Sequence, residues 1–243
     1  MTTFLYSHPV CHDHVTPPGH PEQVARLKAI EAALSAPAFD ALVRKDAPEA
    51  APDRVELCHP RSHYDRIVAA EPREGWGRWG GDTVRAPGSL EAAMRGIGGN
   101  LAAIDAVMAG EAANAFVACR PPGHHAETET PMGFCLFGNV AIAAKRALDV
   151  HGLSRVAVLD FDVHHGNGTQ DIFWDDPSVL YASTHQMPLF PGSGAKDETG
   201  VGNIINAPLS PGMDSLGFKD AFRERVLPAV ENFNPDFIII SAG

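Results

Sequence analysis

Chemically capable side chains concentrate in one stretch, residues 156–169, which reads Val-Ala-Val-Leu-Asp-Phe-Asp-Val-His-His-Gly-Asn-Gly-Thr. The stretch begins as a short apolar run of the kind that forms a buried strand. It then becomes polar at Asp160, Asp162 and His164 and ends at a pair of glycines. Because successive side chains of an extended chain alternate between its faces, these three side chains would point to one side. Two carboxylates and an imidazole in this arrangement predict a metal site.

Such a site would suit zinc. Asp162 offers an oxygen ligand and His164 a nitrogen ligand, a combination found in catalytic zinc sites that keep open coordination positions. A single Asp or His after a strand usually caps a helix or solvates a turn, but several at alternating positions favour a functional site. A bound zinc ion would polarise a substrate carbonyl and lower the pKa of a bound water.

A second group of histidines, the adjacent pair His124 and His125, could move protons near neutral pH. Each ring needs a partner on its second nitrogen, and Asp160 and Asn167 are the available acceptors. An Asp partner favours the charged imidazolium, whereas an Asn carbonyl orients the ring without adding a charge. The two histidines could therefore hold different protonation states and perform different steps.

The elements that must position these residues alternate between strands and helices. Short apolar runs predict strands at residues 2–6, 41–43, 115–119, 156–161, 179–183 and 237–240. Helical spacing and end signals predict helices at residues 21–34, 64–70, 89–108, 139–150 and 214–233, the last disturbed at Pro228. This alternation predicts an α/β fold of three layers, with a mainly parallel sheet and helices on both faces.

The predicted loops lie at residues 8–20, 71–88 and 184–194, among others. Ligands of parallel sheets bind beyond the carboxyl ends of the strands, so the histidine pair and the 156–169 stretch would meet at one edge. Residues 71–88 have no regular period, and their length suggests a functional loop. The glycines at 96, 98 and 99 follow no strand, so they indicate close helix packing rather than a nucleotide-binding motif.

Composition narrows the range of functions. The chain has 243 residues, of which 44% are hydrophobic and 20% charged, as is usual for a globular protein. A formal net charge of −11 argues against direct nucleic-acid binding and would attract cationic ligands such as polyamines or lysine-bearing peptides. The four cysteines are scattered, and neither a signal peptide nor an apolar run long enough for a membrane span is visible. We therefore expect a cytoplasmic protein without a membrane partner, and the sequence leaves a homo-oligomer open.

Several motifs together resemble the zinc-dependent histone deacetylase family, which includes bacterial acetylpolyamine amidohydrolases. They are Arg120-Pro-Pro-Gly-His-His-Ala126, Gly133-Phe-Cys-Leu-Phe137, Asp160-Phe-Asp-Val-His-His-Gly-Asn-Gly-Thr-Gln170 and Phe190-Pro-Gly-Ser-Gly194. Asn167, where some members have Asp, is more like the class II branch. The resemblance implies one domain over residues 1–243 with an arginase/deacetylase-like fold. It also implies hydrolysis of an acetylated amine, either acetyl-lysine in a protein or an acetylpolyamine, to the free amine and acetate.

The resemblance also implies roles for individual residues. Asp162 and His164 would be zinc ligands. His125, paired with Asn167, would act as general base and then general acid. His124, paired with Asp160, would act mainly through its charge.

The remaining implied roles concern substrate and cation binding. The family's tunnel for the acetylated side chain would be lined here by Gly133, Phe134 and Phe190. A buried monovalent-cation site, for K⁺, would involve Asp160, Asp162, Ser183, Thr184 and the His164 backbone. Asp82 would be a carboxylate at the rim that holds the substrate backbone.

Two features of the family have no counterpart in this sequence. Its third zinc ligand is an aspartate just after the motif that ends here at Ser241-Ala-Gly243, and its oxyanion-stabilising tyrosine lies later still. We therefore expect a domain that is incomplete at its carboxyl end, and weak or no catalysis by the 243-residue chain. Activity equal to that of a longer chain would contradict this expectation. Gly138 also differs, because the family usually has Asn there.

The same residues bear on three other readings. An arginase-like binuclear hydrolase needs a carboxylate two residues after the histidine ligand, where this chain has Gly166. A serine hydrolase would use Ser193, but no strand–turn–helix elbow surrounds it. A non-catalytic family member that binds an acetylated ligand or partner without turnover stays open.

Overall fold

The computed structural model describes residues 1–243, in which nine strands alternate with helices. The strands are β1 (Thr3–Ser7), β2 (Val43–Asp46), β3 (Gly77–Trp79), β4 (Thr83–Arg85), β5 (Asn114–Val117), β6 (Val156–Asp160), β7 (Val179–Gln186), β8 (Ile204–Leu209) and β9 (Phe237–Ser241). The α-helices are α1 (Val24–Leu34), α2 (Arg61–Ala69), α3 (Ser89–Met108), α4 (Asn139–Asp149), α5 (Asn167–Ile172), α6 (Ser215–Ala221) and α7 (Leu227–Phe233). Short 3₁₀ turns lie at Pro9–His12, Pro37–Phe39 and Pro52–Leu57, and a π-helical turn spans Phe222–Val226.

The parallel strands form two hydrogen-bonded groups, in the orders β2-β1-β5 and β8-β7-β6-β9. A short antiparallel hairpin, β3-β4, is the third group. The predicted α/β class with mainly parallel strands is confirmed, although the strands do not form one continuous ladder. Asp160 at the end of β6 is in register with Ser183 on β7 and Ser241 on β9, so polar residues meet at this edge.

The core that holds this edge lies between the larger strand group and α4. Val156, Val158, Val179 and Tyr181 are fully buried in one cluster with the inner face of α4. Strand β6 is apolar almost throughout because both of its faces are covered. This burial fixes the strand whose end carries Asp160.

Close packing of α3 explains its glycines. A Cβ atom added at Gly98 would lie only 1.9 Å from the Pro48 carbonyl oxygen, so no other residue fits there without movement. The prediction of close helix packing is therefore confirmed.

Several predicted elements were wrong in extent. The 71–88 segment, expected to be irregular, contains the β3-β4 hairpin. Strand β7 continues to Gln186, so Thr184 lies within a strand and the following loop is shorter than expected. Helix α1 begins at Val24 rather than at residue 21 because Gln23 is extended.

Two further elements, besides the β3-β4 hairpin, were not predicted. Strand β8 was missed because Asn206 and Pro208 interrupt its apolar run, which an edge strand tolerates. Helix α5 was missed because it begins within the glycine-containing motif.

The carboxyl-terminal helical region begins as predicted, with the Asp214 side chain accepting from the Leu216 and Gly217 amides. The predicted disturbance is the π-helical turn, which ends just before Pro228. Proline lacks the amide that an α-helix needs at this position. None of the helices combines the length and apolar composition needed to cross a bilayer.

Candidate active site

The first histidine of the adjacent pair is held by a buried carboxylate. His124 Nδ1 donates to Asp160 Oδ2 at 2.9 Å, and Asp160 is only 2% exposed. Burial would lower the pKa of His124, but the charge and hydrogen bond of Asp160 outweigh it and raise that pKa. The Tyr181 hydroxyl accepts from the Gly166 amide and lies 3.4 Å from Asp160 Oδ2. His124 is therefore placed to carry a positive charge.

The second histidine has an uncharged partner. His125 Nδ1 lies 2.8 Å from Asn167 Oδ1. The Asn167 amide is oriented by Glu127, whose Oε1 accepts from Asn167 Nδ2 at 2.8 Å. Because Asn167 must then present its oxygen to His125, Nδ1 of His125 carries the proton and Nε2 keeps a free lone pair. Burial, followed by the neighbouring His124, lowers the pKa of His125 to about 3, so this ring is neutral at neutral pH.

Asp162 and His164 lie next to each other, but not for the reason inferred from the sequence. Strand β6 ends at Asp160, so the two residues lie in a bend and not on one face of an extended chain. Asp162 Oδ1 instead accepts from the His164 amide at 2.7 Å, which turns the loop back on itself. The result is a separation of 3.3 Å between Asp162 Oδ1 and His164 Nδ1.

This pair fits two positions of a zinc site. Two donors bound tetrahedrally at zinc–ligand distances of about 2.0–2.2 Å lie roughly 3.3–3.5 Å apart. The His164 ring has Asp162 as its polar neighbour and its side chain is 37% exposed, so a metal could bind between the two side chains. No group of three His, Cys, Asp or Glu side chains is arranged to hold a metal ion. A Cβ atom added at Gly243 would lie 1.9 Å from Asp162 Oδ2, which places this glycine directly against the same carboxylate.

Gly166 leaves no room for a further carboxylate. An added Cβ atom would lie 2.5 Å from the Tyr181 hydroxyl and 2.6 Å from Asp160 Oδ2. A residue that could bridge a second metal at this position would displace the partner of His124. This crowding disfavours the arginase-like binuclear reading.

One aromatic wall of the site is Phe190. Its ring centroid lies 5.1 Å from that of His125 and 6.0 Å from that of His164. The loop that carries it is fixed by two further buried histidines. His165 Nδ1 lies 2.8 Å from Ser193 Oγ, and His185 Nε2 donates to the Gly194 carbonyl at 3.0 Å.

A second wall comes from Gly133 and Phe134. A Cβ atom added at Gly133 would lie 2.3 Å from His125 Cδ2, so the backbone lies directly against that ring. Both residues have left-handed backbones, with φ values of 55° and 71°. A bulky residue in this region costs about 1–3 kcal/mol and persists only where its surroundings hold it.

The rim near Phe134 includes Asp82. The Phe134 amide donates to Thr83 Oγ1 at 3.1 Å, and the His20 ring lies 4.9 Å from the Phe134 ring. His20 Nε2 in turn donates to the Asp82 carbonyl at 3.1 Å. The structure thus places Asp82 beside the wall that contains Phe134, while its role in substrate binding stays a prediction.

The remaining implied cation ligands, Ser183 and Thr184, lie on β7, the strand that pairs with β6. Ser183 is opposite Asp160 in the ladder, but its Oγ pairs with His185 Nδ1 at 2.9 Å. Thr184 Oγ1 lies 3.5 Å from the Asp160 carbonyl oxygen. These groups are near one another, and a K⁺ site there stays a prediction.

Three contributors to the site were missed from the sequence: Glu127, Tyr181 and Arg120. The buried Arg120 guanidinium pairs with Glu22 and donates to carbonyls of the 8–20 loop, which anchors the segment before His124. The position of Glu127 next to the histidine motif was a usable signal. The position of Tyr181 inside an apolar strand carried none.

The comparisons with known proteins decide the family. A sequence model described as the histone deacetylase domain matches residues 20–243. The chain belongs to the histone deacetylase family. The resemblance inferred from the motifs is therefore confirmed.

Relatives of this deacetylase-family chain include a bacterial and an archaeal protein. It is 41% identical over 238 residues to a histone deacetylase-like amidohydrolase of Pseudomonas aeruginosa, a match that covers 94% of the chain and 62% of that protein. It is 38% identical over 250 residues to a probable deacetylase of Archaeoglobus fulgidus, covering 100% of the chain and 69% of that protein. The chain thus spans less than two thirds of the Pseudomonas relative.

A solved structure confirms the fold. The crystal structure of the HDA15 HD domain matches with a TM-score of 0.95 at 34% identity, covering 100% of this chain and 71% of that one. The expectation that the domain continues past residue 243 stays a prediction.

Proposed function

We propose that this deacetylase-family protein is a zinc-dependent hydrolase that cleaves the amide of an acetylated amine. The observation that carries the proposal is the unequal histidine pair: one ring is hydrogen-bonded to a buried carboxylate and the other to a neutral amide. The His125 ring stands beside the Asp162–His164 pair, since the His125 and His164 ring centroids are 6.0 Å apart, and His124 packs against His125. A charged ring, a neutral base and two metal-binding donors are groups that metal-assisted amide hydrolysis uses.

The residues of the site would have different roles in the hydrolysis. A zinc ion bound by Asp162 and His164 would supply Lewis acidity for the acetyl carbonyl and for the attacking water. His125, neutral and with a free Nε2, accepts the proton of the water and later gives it to the nitrogen of the leaving amine. His124 stays protonated and stabilises the negative charge that develops during attack. Phe190 packs edge-on against the rings of His125 and His164 and forms one wall of the site.

The proposed substrate is an acetylated amine that carries positive charge elsewhere, either acetyl-lysine in a protein or an acetylpolyamine. The net charge of −11 supports cationic partners. A cavity of about 300 Å³ beside Asn167 has the carboxylates of Glu127 and Asp171 and the indole of Trp174 in its lining. All four cysteines are free thiols, which supports the proposed cytoplasmic location.

The test combines metal analysis with product analysis. It uses the full gene product, meaning this chain with any residues that its gene encodes beyond Gly243. We expect close to one bound zinc per chain, and release of acetate from an acetyl-lysine peptide or an acetylated polyamine that stops on chelation. An active preparation without metal and indifferent to chelators would overturn the proposal. Binding of the acetylated ligand without acetate release, in zinc-loaded protein, would favour the non-catalytic reading.

A further inference from the structure

Two buried histidines outside the active site, His59 and His63, form a second stacked pair. Their ring centroids are 4.7 Å apart with an interplanar angle of 16°, and the residues are 2% and 0% exposed. Both pack edge-on against the ring of Phe137. Neither ring is adjacent in sequence to the proposed catalytic residues, and the proposed mechanism uses neither.

His59 joins the two ends of the loop formed by residues 128–138. Its Nδ1 donates to the Thr128 carbonyl at 3.0 Å, while its Nε2 accepts from the Gly138 amide at 2.9 Å. One nitrogen must carry a proton and the other must not, so the ring is neutral with a single tautomer. Gly138 contributes a backbone donor here, and a Cβ atom at that position would lie 2.9 Å from Ile172 Cδ1.

His63 holds the same loop nearer its middle. Its Nε2 donates to the Leu136 carbonyl at 2.8 Å, and its Nδ1 faces Arg66 Nη2 at 3.4 Å. The Arg66 guanidinium also donates to the Glu129 carbonyl. Residues from α2 and from just before it therefore bind the 128–138 loop at four backbone positions.

This loop needs such support. It contains Gly133 and Phe134, the two consecutive residues with left-handed backbones, and Gly133 lies directly against the His125 ring. No side chain lies between Gly133 and His125. The position of the loop backbone therefore determines how much space is available beside the His125 ring. A small outward shift would enlarge the space next to the proposed base.

We propose that His59 and His63 are positioning residues that hold the 128–138 loop against His125 and thereby restrict the acyl group to a small one. The restriction of the acyl group rests on the proposed deacetylase function. The restraint of the loop does not, because it follows from the hydrogen bonds alone.

Amide hydrogen exchange tests the restraint without any need for activity. His59→Phe keeps the stacked ring and removes both hydrogen bonds, so we expect exchange in residues 130–138 to be about tenfold faster or more. His59→Gln can still offer one donor and one acceptor, so it should restore most of the protection. Arg66→Met, at an exposed position that should not affect folding, should accelerate exchange in the same segment to a smaller extent.

The matched control is Leu27→Ala, which leaves a cavity in a separate core cluster around Cys11. It should lower thermal stability without selective exchange in residues 130–138. Equal exchange of this segment in His59→Phe and Leu27→Ala, at matched loss of thermal stability, would overturn the proposal. So would unchanged exchange of the segment in both His59→Phe and Arg66→Met.

Acyl selectivity is the second measurement. In the full gene product, His59→Phe should raise the ratio of kcat/KM for a butyryl-lysine peptide to that for the acetyl-lysine peptide by about tenfold, equivalent to about 1.4 kcal/mol. Leu27→Ala should leave the ratio unchanged. Faster exchange with an unchanged ratio would overturn the restriction of the acyl group. A wild-type protein that releases acetate neither from the acetyl-lysine peptide nor from an acetylated polyamine would contradict the proposed function, and the exchange result would still decide the restraint.

Discussion

The two histidine pairs of this protein, His124–His125 and His59–His63, are both buried and closely packed, but their hydrogen-bond partners differ. The ring centroids are 4.0 Å apart in the first pair and 4.7 Å apart in the second. In the first pair a carboxylate raises the pKa of one ring while the pKa of the other is lowered. In the second pair the partners are mainly backbone groups, and burial lowers the pKa of both rings.

The difference shows that burial of an imidazole pair does not by itself produce an acid–base site. In the first pair the two rings are chemically unequal because one of them faces a buried carboxylate. Asp160 supplies that charge at the end of β6, and nothing equivalent faces His59. The same side-chain type can therefore serve proton transfer in one place and loop restraint in another.

The largest expected effects come from two variants that distinguish metal binding by Asp162 from proton transfer by His125. In the full gene product, Asp162→Asn should lose zinc because a neutral amide is a poor ligand. His125→Ala should keep zinc and lose about 10²–10⁴-fold in kcat because the general base is gone. Zinc content and steady-state kinetics check both variants. The reverse pattern would contradict the assigned roles.

The second prediction concerns pH and the second pair. The pKa of His59 is lowered from 6.5 to about 4, mainly by burial. Between pH 6.5 and 4, His59 is therefore mostly protonated in the unfolded chain but mostly neutral in the folded chain. The contribution of His59 to the free energy of unfolding is fully present above pH 6.5. It falls by roughly 3 kcal/mol as the pH drops to 4.

Denaturant unfolding at several pH values checks this dependence. His59→Gln should flatten the loss of stability across that window, while His12→Gln, at a partly exposed histidine near the surface, should not. An identical pH profile in wild type and His59→Gln would refute the prediction.

The third prediction concerns the neutral partner in the first pair. Glu127→Leu removes the acceptor that orients the Asn167 amide, so His125 would lose its fixed tautomer. Residues that orient a functional side chain in this way typically contribute about 10–100-fold, and we expect a loss of that size in kcat. Glu127→Gln keeps an acceptor oxygen and should recover most of the activity. Equal losses in both variants would point to the charge of Glu127 instead.

The smallest expected effect is that of Tyr181→Phe. The change removes the hydroxyl that accepts from the Gly166 amide and lies near Asp160. A buried amide left without its acceptor costs about 1–3 kcal/mol. Urea unfolding should show this loss, while the zinc content of the full gene product should stay unchanged.

Much of the site could be predicted because its chemistry is encoded locally. Asp160, Asp162 and His164 lie within five consecutive residues after an apolar run, and His124 and His125 are adjacent. The alternation of strands and helices then places both segments at the same edge of the fold. Strand alternation, however, does not align Asp162 with His164, because β6 ends at Asp160 and a bend brings the two side chains together.

The sequence by itself determined the fold class, the family and the residue types that meet at the site, because these depend on local periodicity and on short motifs. Only the tertiary structure decided which distant residues form hydrogen bonds with the side chains of the site and with the loop beside it. His59 meets Thr128 across 69 positions of the chain, and Asn167 meets Glu127 across 40. Such contacts follow from how helices and strands pack, so no local pattern specifies them. That packing also leaves Gly166 no room for a side chain and presses Gly133 against the His125 ring.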